Sequence, residues 1–305
     1  MMKKFLLAFF FLLSFAPQGQ AQTQEKLIVT ASFSILGDII KNIGRDRVTV
    51  NVIVGPNQDT HVYKPTPGDN IQIVKSDLVI INGLSFETWF ERLVSASGYK
   101  GPVVVASLGI PFHKMMEPQL SNDPVPDPHV WNDVQHVITW VYNIKRALQE
   151  RDAKNASVYE KNAALYLEKL EELDRWIKEQ FKDVPPDSCK VITAHDAFNY
   201  FEKAYGLVFL SPQGLSTTDE PSAHEMASLI LQIKKEKIST LFVENISSQR
   251  LIRQLASETG ARVGGTLYSD ALSTQEEPAS TYIKLMESNV NLLAKSLGCV
   301  VSPAK

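Results

Sequence analysis

The feature that most constrains the fold is a long stretch, residues 155–184, that predicts one continuous helix. Its apolar side chains recur every three or four residues and share one helical face: Tyr166, Leu170, Leu173, Ile177 and Phe181. Ser157 and Glu160 have the spacing of a capping box near the start, and Pro185 with Pro186 prevents continuation. A helix of this length spans about 45 Å, so we expect it to run across two lobes.

Strand-like and helix-like segments alternate on both sides of this helix. Runs rich in apolar and β-branched residues come before it at 27–32, 48–54, 77–83 and 102–107. The same order returns after it at 190–195, 207–211, 239–245 and 262–268. Continuous apolar strands between helices predict parallel sheets that are covered on both faces. We therefore predict an α/β protein with two similar lobes, 22–153 and 185–305, joined by one long helix at 154–184, with a binding site in the cleft.

The first 21 residues have the organisation of a secretory signal peptide. Lys3 and Lys4 precede an apolar run at 5–15, and Gly19 and Ala21 supply small residues before a cleavage site. The apolar run is too short to span a bilayer, and no later segment reaches about 18 apolar residues. Because the residue directly after the cleavage site is Gln22 and not a cysteine, we expect a periplasmic protein that is exported by a signal peptide and has no lipid anchor.

Charge and cysteine content narrow the choice of partners. Removing the two leader lysines lowers the formal net charge from −3 to −5, which argues against nucleic acid as a partner. Cys189 and Cys299 are the two cysteines of the sequence, and an exported protein can keep a disulfide. We expect a Cys189–Cys299 disulfide, with two buried free thiols as the alternative.

Three histidines and one aspartate stand just after predicted strands. His61 follows the second strand, His129 lies in the loop after the fourth, His195 ends the first strand beyond the long helix, and Asp270 follows the last strand. Ligands bind at the carboxyl ends of strands in open parallel sheets, so these side chains converge if the lobes face each other. Three imidazoles and one carboxylate suit Zn²⁺ and tolerate other first-row divalent ions.

Other polar residues fit this chemistry less well. His113, His136 and His224 lack the strand-end placement and are interpreted as structural, whereas Glu244 ends a strand and is the alternative carboxylate. A histidine–glutamate pair begins at His224, but Ser228 stands where the zinc-protease helix requires its second histidine. The sequence also lacks the nucleophile elbow of the hydrolases. We therefore predict a binding protein, and not an enzyme.

At these residues the sequence resembles the metal-binding solute receptors of ABC transporters, the cluster that serves zinc, manganese and iron uptake. The resemblance covers the chain beyond the leader. It is carried by DTHVYKPTPGD (59–69), DLVIINGLSFETW (77–89), DPHVWND (127–133), TAHDAFNYFEKAYGL (193–207), DEPSAHE (219–225) and LYSDALS (267–273). It implies that His61, His129, His195 and Asp270 bind the metal ion and that a monomer delivers this ion to a membrane permease.

The resemblance also bears on the choice of metal. Many zinc receptors carry a histidine- and acid-rich loop before the second ligand, whereas residues 114–128 contain no histidine here. Manganese and iron receptors, in turn, commonly have glutamate where this chain has His195. We expect zinc as the cargo, with manganese second. Two other functions are weighed against this one, a periplasmic zinc-dependent hydrolase with the same ligands and an adhesin on the same fold.

Overall fold

Two parallel sheets of four strands, one on each side of a long helix, form the framework of the protein. The computed structural model describes residues 25–115, 123–185, 190–214, 217 and 221–296. The first sheet contains β1 (Leu27–Phe33), β2 (Val48–Val54), β3 (Leu78–Ile81) and β4 (Val103–Val105), in the order β2-β1-β3-β4. A two-stranded antiparallel ladder follows, formed by β5 (Lys114–Met115) and β6 (Val125–Pro126). The second sheet contains β7 (Lys190–Ile192), β8 (Val208–Leu210), β9 (Thr240–Glu244) and β10 (Arg262–Leu267), in the order β10-β9-β7-β8.

The two sheets are closely related in topology. Both consist of four strands, and every pair of neighbouring strands is parallel. The strands of the first lobe alternate with α1 (Ser34–Gly44), α2 (Pro67–Val74) and α3 (Phe90–Ser97). Those of the second alternate with α6 (Asn199–Tyr205), α7 (Ala223–Glu236) and α8 (Arg250–Thr259), and α9 (Tyr282–Ser296) closes the described chain. If the strands of each lobe are numbered from one to four along the chain, the first sheet has the order 2-1-3-4. The second sheet has the same order when it is read from β8 to β10. The predicted α/β fold with two similar lobes is confirmed.

Local sequence signals explain several helix boundaries. Helix α2 begins with a capping box in which Thr66 and Asp69 bond each other's backbone groups, and Ser222 with Glu225 forms a second one at the start of α7. Helix α6 ends at Gly206, whose φ of 83° is the left-handed conformation that glycine adopts without strain. These signals lie within a few residues of each boundary and need no tertiary contact.

The long helix is α5 (Ala156–Phe181), which has 26 residues and is preceded by α4 (Val134–Arg151). The apolar face predicted for it is buried throughout. Helix α5 packs against α1 and α4 on one side and against α6 and α9 on the other, so it contacts both lobes. The predicted capping box at its start is wrong: Asn155 is the N-cap, and Glu160 instead accepts hydrogen bonds from Lys145 and Gln149 of α4.

Some predicted features lie outside the described residues. These are the signal peptide at residues 1–21 and both cysteines of the expected disulfide, Cys189 and Cys299. The small β5–β6 ladder was not predicted, because its two-residue strands stand in a segment rich in proline and aspartate. No helix in the described part of the chain is both long enough and apolar enough to cross a membrane.

Hydrogen bonds tie the two lobes together near the long helix. The Ser34 hydroxyl, at the start of α1, accepts a bond from the Leu272 N–H (2.9 Å), and the Asp38 carboxylate accepts one from the Tyr282 N–H (2.9 Å). The Tyr282 hydroxyl in turn donates to the Trp131 carbonyl (2.8 Å). One hydrophobic core runs through the first lobe, the long helix and part of the second lobe. The lobes are thus joined by packing as well as by the helix itself.

We predict that metal binding changes the separation of the lobes little, because bending α5 would break its backbone hydrogen bonds. The radius of gyration of the metal-free and metal-bound protein should differ by less than about 1 Å, out of roughly 19 Å for a chain of this size. Solution X-ray scattering of the two forms measures this. A proline in place of the exposed Glu168 should kink α5, destabilise the protein by about 3 kcal/mol and widen the difference. The matched control Glu168→Ala should do neither, and a change of several ångströms in the unmodified protein would contradict the prediction.

Candidate metal centre

The four residues predicted to bind a metal meet at one point between the lobes. His61 Nε2 lies 3.2 Å from His129 Nε2 and 3.1 Å from Asp270 Oδ2. His195 Nε2 approaches the same Asp270 oxygen at 3.1 Å. One donor atom from each of the four residues lies within 4.8 Å of the others, and the described residues contain no second group of three or more such side chains arranged in this way.

The strand ends bring these side chains together. His61 lies in the loop that follows β2, and its N–H donates to the carboxylate of Asp59 (2.9 Å). His129 follows β6, and its N–H donates to Asp127 (3.0 Å) in the same manner. His195 and Asp270 lie three residues beyond the ends of β7 and β10. Each lobe therefore supplies two of the four side chains: His61, His195 and Asp270 follow strands of the parallel sheets, and His129 follows the small ladder of the first lobe.

The three shortest distances between donor atoms are close to those around a single tetrahedral ion. Zn²⁺ binds imidazole nitrogen at about 2.0–2.1 Å, and four donors at that distance lie about 3.3–3.4 Å from one another in a tetrahedron. The closest contacts here, 3.1–3.2 Å, are near that value. The second oxygen of Asp270, Oδ1, is buried and lies 3.7 Å from His129 Nε2, which is too long for a hydrogen bond, and it accepts none from the other described residues. A buried acceptor without a donor is rare in folded proteins, and a cation would satisfy it.

Two further carboxylates hold the inner histidine rings. Asp127 Oδ1 lies 2.8 Å from His129 Nδ1, and Glu244 Oε2 lies 2.6 Å from His195 Nδ1. In both rings Nδ1 faces a carboxylate, so Nε2 is the nitrogen that faces the centre. Histidines that bind metals commonly donate their other ring N–H to a carboxylate, which fixes both tautomer and orientation.

The charges at the centre shift the pKa values of its groups in opposite directions. Burial alone lowers the pKa of His129, but the neighbouring carboxylates of Asp270 and Asp127 outweigh it and raise this pKa to about 9. His195 behaves alike, since burial lowers its pKa but Glu244 and Asp270 raise it well above the ordinary value. For Asp270 itself, burial raises the pKa, yet His195 and His129 hold it well below its usual range. The carboxylate is thus ionised.

The four side chains of the centre differ in their exposure to solvent. His129, His195 and Asp270 are fully buried, whereas 6% of the His61 side chain is exposed. The rings of Phe86 and Trp131 cover the first-lobe side, where Phe86 packs edge-on against His61 with the ring centroids 4.9 Å apart. His61 is therefore the member of the centre that faces the solvent.

The other candidates from the sequence lie elsewhere. His113 stacks on the ring of Tyr200, His136 meets the same ring edge-on, and His224 is exposed at the start of α7. Glu244 contacts His195 from behind. The alternative carboxylate and Asp127 thus both support histidines, a role that the sequence analysis missed for each of them. The only sequence signal for Asp127 was its spacing two residues before His129, and the signal for Glu244 was its place at a strand end.

Comparison with known proteins places this geometry among metal-binding proteins. Residues 29–296 match the family described as zinc-uptake complex component A, periplasmic. The chain is 33% identical over 285 residues to the iron-binding protein YfeA of Yersinia pestis, an alignment that covers 93% of this chain and 90% of the relative. It is 30% identical over 281 residues to the manganese-binding lipoprotein MntA of Halalkalibacterium halodurans, covering 92% and 91% of the two chains.

Solved structures agree with the fold. The periplasmic zinc-binding protein TroA of Treponema pallidum aligns with a TM-score of 0.83 at 28% identity, covering 90% of this chain and 99% of that chain. The manganese-bound periplasmic metal-binding protein of Candidatus Liberibacter asiaticus aligns with a TM-score of 0.79 at 32% identity, covering 89% and 100%. Several sequence relatives are named lipoproteins, so these comparisons give no support to the expectation of a chain without a lipid anchor. Since the family match spans nearly the whole of the described structure, the chain belongs to the family of periplasmic zinc-uptake complex components A.

Proposed function

We propose that the protein binds one divalent transition-metal ion outside the cytoplasm and delivers it to the permease of an ABC transporter. His61, His129, His195 and Asp270 are the proposed ligands. The observation that carries the proposal is their convergence from both lobes, with one donor atom of each residue within 4.8 Å of the others and three of the distances at 3.1–3.2 Å. The metal is cargo, which the protein holds and then releases.

The geometry favours transport over hydrolysis. A catalytic zinc ion keeps one coordination position open for water or substrate, usually beside a general base. Here four protein side chains converge, and the two neighbouring carboxylates, Asp127 and Glu244, are engaged with the histidine rings. Three of the four donors are also fully buried, which leaves no surface for a substrate larger than an ion. The zinc-dependent hydrolase and the adhesin lack a comparable supporting observation.

The names of the relatives and the predicted leader support the proposed location and partner. Relatives of similar length are named substrate-binding lipoproteins of metal ABC transporters, among them SsaB of Streptococcus sanguinis, which is 30% identical over 284 residues. The matched family is described as periplasmic. Together with the leader predicted at residues 1–21, these names support a periplasmic receptor that meets a permease at the membrane surface.

Zinc is the favoured cargo and manganese the second. The centre has three imidazole nitrogens and one carboxylate, a donor set that suits Zn²⁺, whereas Mn²⁺ prefers oxygen donors. The relatives bear names for iron, manganese and zinc, so the donor set, and not the family, carries the preference. The metal content of protein purified without added metal, measured by mass spectrometry, tests it.

The first prediction concerns the ligand set. Zinc at a thousandfold excess over its Kd should stabilise the unmodified protein by about 4 kcal/mol, because the ion binds only the folded form. His61→Ala or His129→Ala should abolish most of this stabilisation in thermal unfolding experiments with zinc and with chelator. The matched control is His113→Ala, whose ring stacks on Tyr200 away from the centre and should keep the full effect. Equal behaviour of the three variants would refute the ligand assignment.

The second prediction concerns the release of protons when the metal ion binds. In the metal-free protein His129 has a pKa of about 9, so its ring is protonated near pH 7, and a metal ion must displace that proton. Binding should therefore release protons, and the apparent affinity should rise with pH until the pH passes this pKa. For each proton displaced, the affinity should rise about tenfold per pH unit. Asp270 adds no proton, since its pKa is held well below its usual range.

Isothermal titration calorimetry measures this release. The apparent binding enthalpy near pH 7 should depend on the ionisation enthalpy of the buffer, and the dependence should vanish once the rings are neutral. The His113→Ala variant should release the same number of protons as the unmodified protein. Identical enthalpies in two buffers of different ionisation enthalpy would contradict the prediction.

The third prediction concerns metal choice. His195→Glu replaces an imidazole with a carboxylate that can bind through two oxygens, which favours Mn²⁺ relative to Zn²⁺. The zinc-to-manganese affinity ratio should fall about tenfold, equivalent to about 1.4 kcal/mol, although zinc still binds more tightly. Competition dialysis against mixed Zn²⁺ and Mn²⁺, with the bound metal counted, gives the ratio. A ratio that stays constant or rises would show that His195 does not set the preference.

A further inference from the structure

The carboxylate of Glu244 connects three strand ends beneath the metal centre. Glu244 is the last residue of β9, which lies between β7 and β10 in the second sheet. Its Oε1 accepts hydrogen bonds from the N–H groups of Ala194 (2.7 Å) and His195 (2.9 Å). Its Oε2 accepts one from the Ser269 hydroxyl (2.6 Å) and lies 2.6 Å from His195 Nδ1. The residue is 2% exposed, so water does not replace these contacts.

We propose that Glu244 is a positioning residue that arranges both second-lobe donors of the centre. It holds the His195 ring with Nε2 toward the ion and, through Ser269, fixes the backbone next to Asp270. This inference rests on the proposed function, because it assigns Glu244 a role in metal binding. It also separates Glu244 from the ligands themselves, since the carboxylate lies on the Nδ1 side of the His195 ring.

The role of Glu244 depends on which nitrogen of the His195 ring carries a proton. An ionised carboxylate only accepts hydrogen bonds, so the His195 Nδ1 that faces Glu244 keeps its proton when Nε2 binds a metal ion. Nε2 then keeps the lone pair with which it binds a metal. Nε2 lies 3.1 Å from the ionised Asp270 Oδ2, so in the metal-free protein it donates a hydrogen bond there, and this is the proton that a metal ion replaces.

A glutamine at this position would reverse the tautomer. The Oε1 position faces two backbone N–H donors and therefore has to be occupied by the amide oxygen of the new side chain. The amide nitrogen then falls at the Oε2 position and donates toward His195 Nδ1. That ring nitrogen becomes an acceptor, and the proton of the neutral ring moves to Nε2, where it blocks the metal. The substitution preserves shape and volume, so the packing around it stays the same.

The first lobe offers a matched control in Glu87. This carboxylate is also buried, and it accepts bonds from a serine hydroxyl, Ser32 (2.6 Å), and from two consecutive backbone N–H groups, those of Asn82 (2.7 Å) and Gly83 (3.1 Å). These hydrogen-bond partners match those of Glu244 in kind, apart from the histidine ring. Glu87→Gln therefore reports the cost of neutralising a buried carboxylate of this type without any effect on a histidine tautomer.

The test measures zinc affinity by competition with a chelator for the unmodified protein, Glu244→Gln and Glu87→Gln. Loss of a carboxylate that supports a metal-binding histidine weakens metal binding about 10- to 100-fold, and we expect a loss in this range for Glu244→Gln. Glu87→Gln should bind zinc as the unmodified protein does. An equal loss in both variants, or none in Glu244→Gln, would overturn the inference.

Nuclear magnetic resonance supplies a readout that a merely structural role would not move. Long-range ¹H–¹⁵N spectra, recorded on metal-free protein at a pH where the His195 ring is neutral, distinguish the two tautomers. We expect the proton on Nδ1 in the unmodified protein and in Glu87→Gln, and on Nε2 in Glu244→Gln. An Nε2 proton in the unmodified protein would overturn the inference even if Glu244→Gln does not fold.

The outcomes also separate this inference from the proposed function. If the unmodified protein binds no zinc, manganese or iron, the proposed function fails. If it binds zinc and Glu244→Gln binds equally well with an unchanged tautomer, the positioning role alone fails. Ser269→Ala tests whether Glu244 also positions Asp270 through the Ser269 hydroxyl. This variant should keep the His195 tautomer and weaken zinc binding by less than Glu244→Gln does. Unchanged zinc binding would show that Glu244 does not position Asp270 through Ser269.

Discussion

The metal centre between the two lobes depends on one buried charge, the carboxylate of Asp270. This side chain is fully buried and contacts the Nε2 atoms of His61 in the first lobe and His195 in the second. An uncompensated charge inside a protein costs several kcal/mol, so a positive charge has to stand beside it. Without metal, protonated rings of His129 and His195 supply that charge, which is why their pKa values are raised. With metal, the ion supplies it. Protons on the histidine rings and a metal ion thus replace each other as the positive charge beside Asp270.

Both lobes contain a buried glutamate with similar hydrogen-bond partners, but the two glutamates have different roles. In both lobes a buried glutamate accepts bonds from a serine hydroxyl and two neighbouring N–H groups. In the first lobe, Glu87 ties down the loop after β3. In the second, the first and third strands are neighbours whose following connections run to opposite sides of the sheet, and Glu244 stands at that point next to His195. Open parallel sheets bind ligands at such switch points.

Periodicity and strand-end placement predicted most of the architecture. All eight strands of the two parallel sheets, the apolar face of α5 and the convergence of His61, His129, His195 and Asp270 followed from patterns that extend over many residues. The boundary of α5 at Asn155 did not, because Glu160 is drawn to Lys145 and Gln149 of a neighbouring helix, a tertiary contact with no local signal. The roles of Asp127 and Glu244 escaped for the same reason. A buried carboxylate near a strand end could bind metal or a ligand ring, and only the fold decides between these.

The unequal burial of the four side chains places one of them between the metal centre and the solvent. His129 and His195 are each held by a carboxylate, and Asp270 lies fully buried between them, so these three form a preformed half-shell. His61 stands on the solvent side, on a loop anchored through its backbone to Asp59. The loop between β2 and α2 therefore carries the side chain that separates the centre from solvent, so a partner that displaces this loop would expose the ion without separating the lobes.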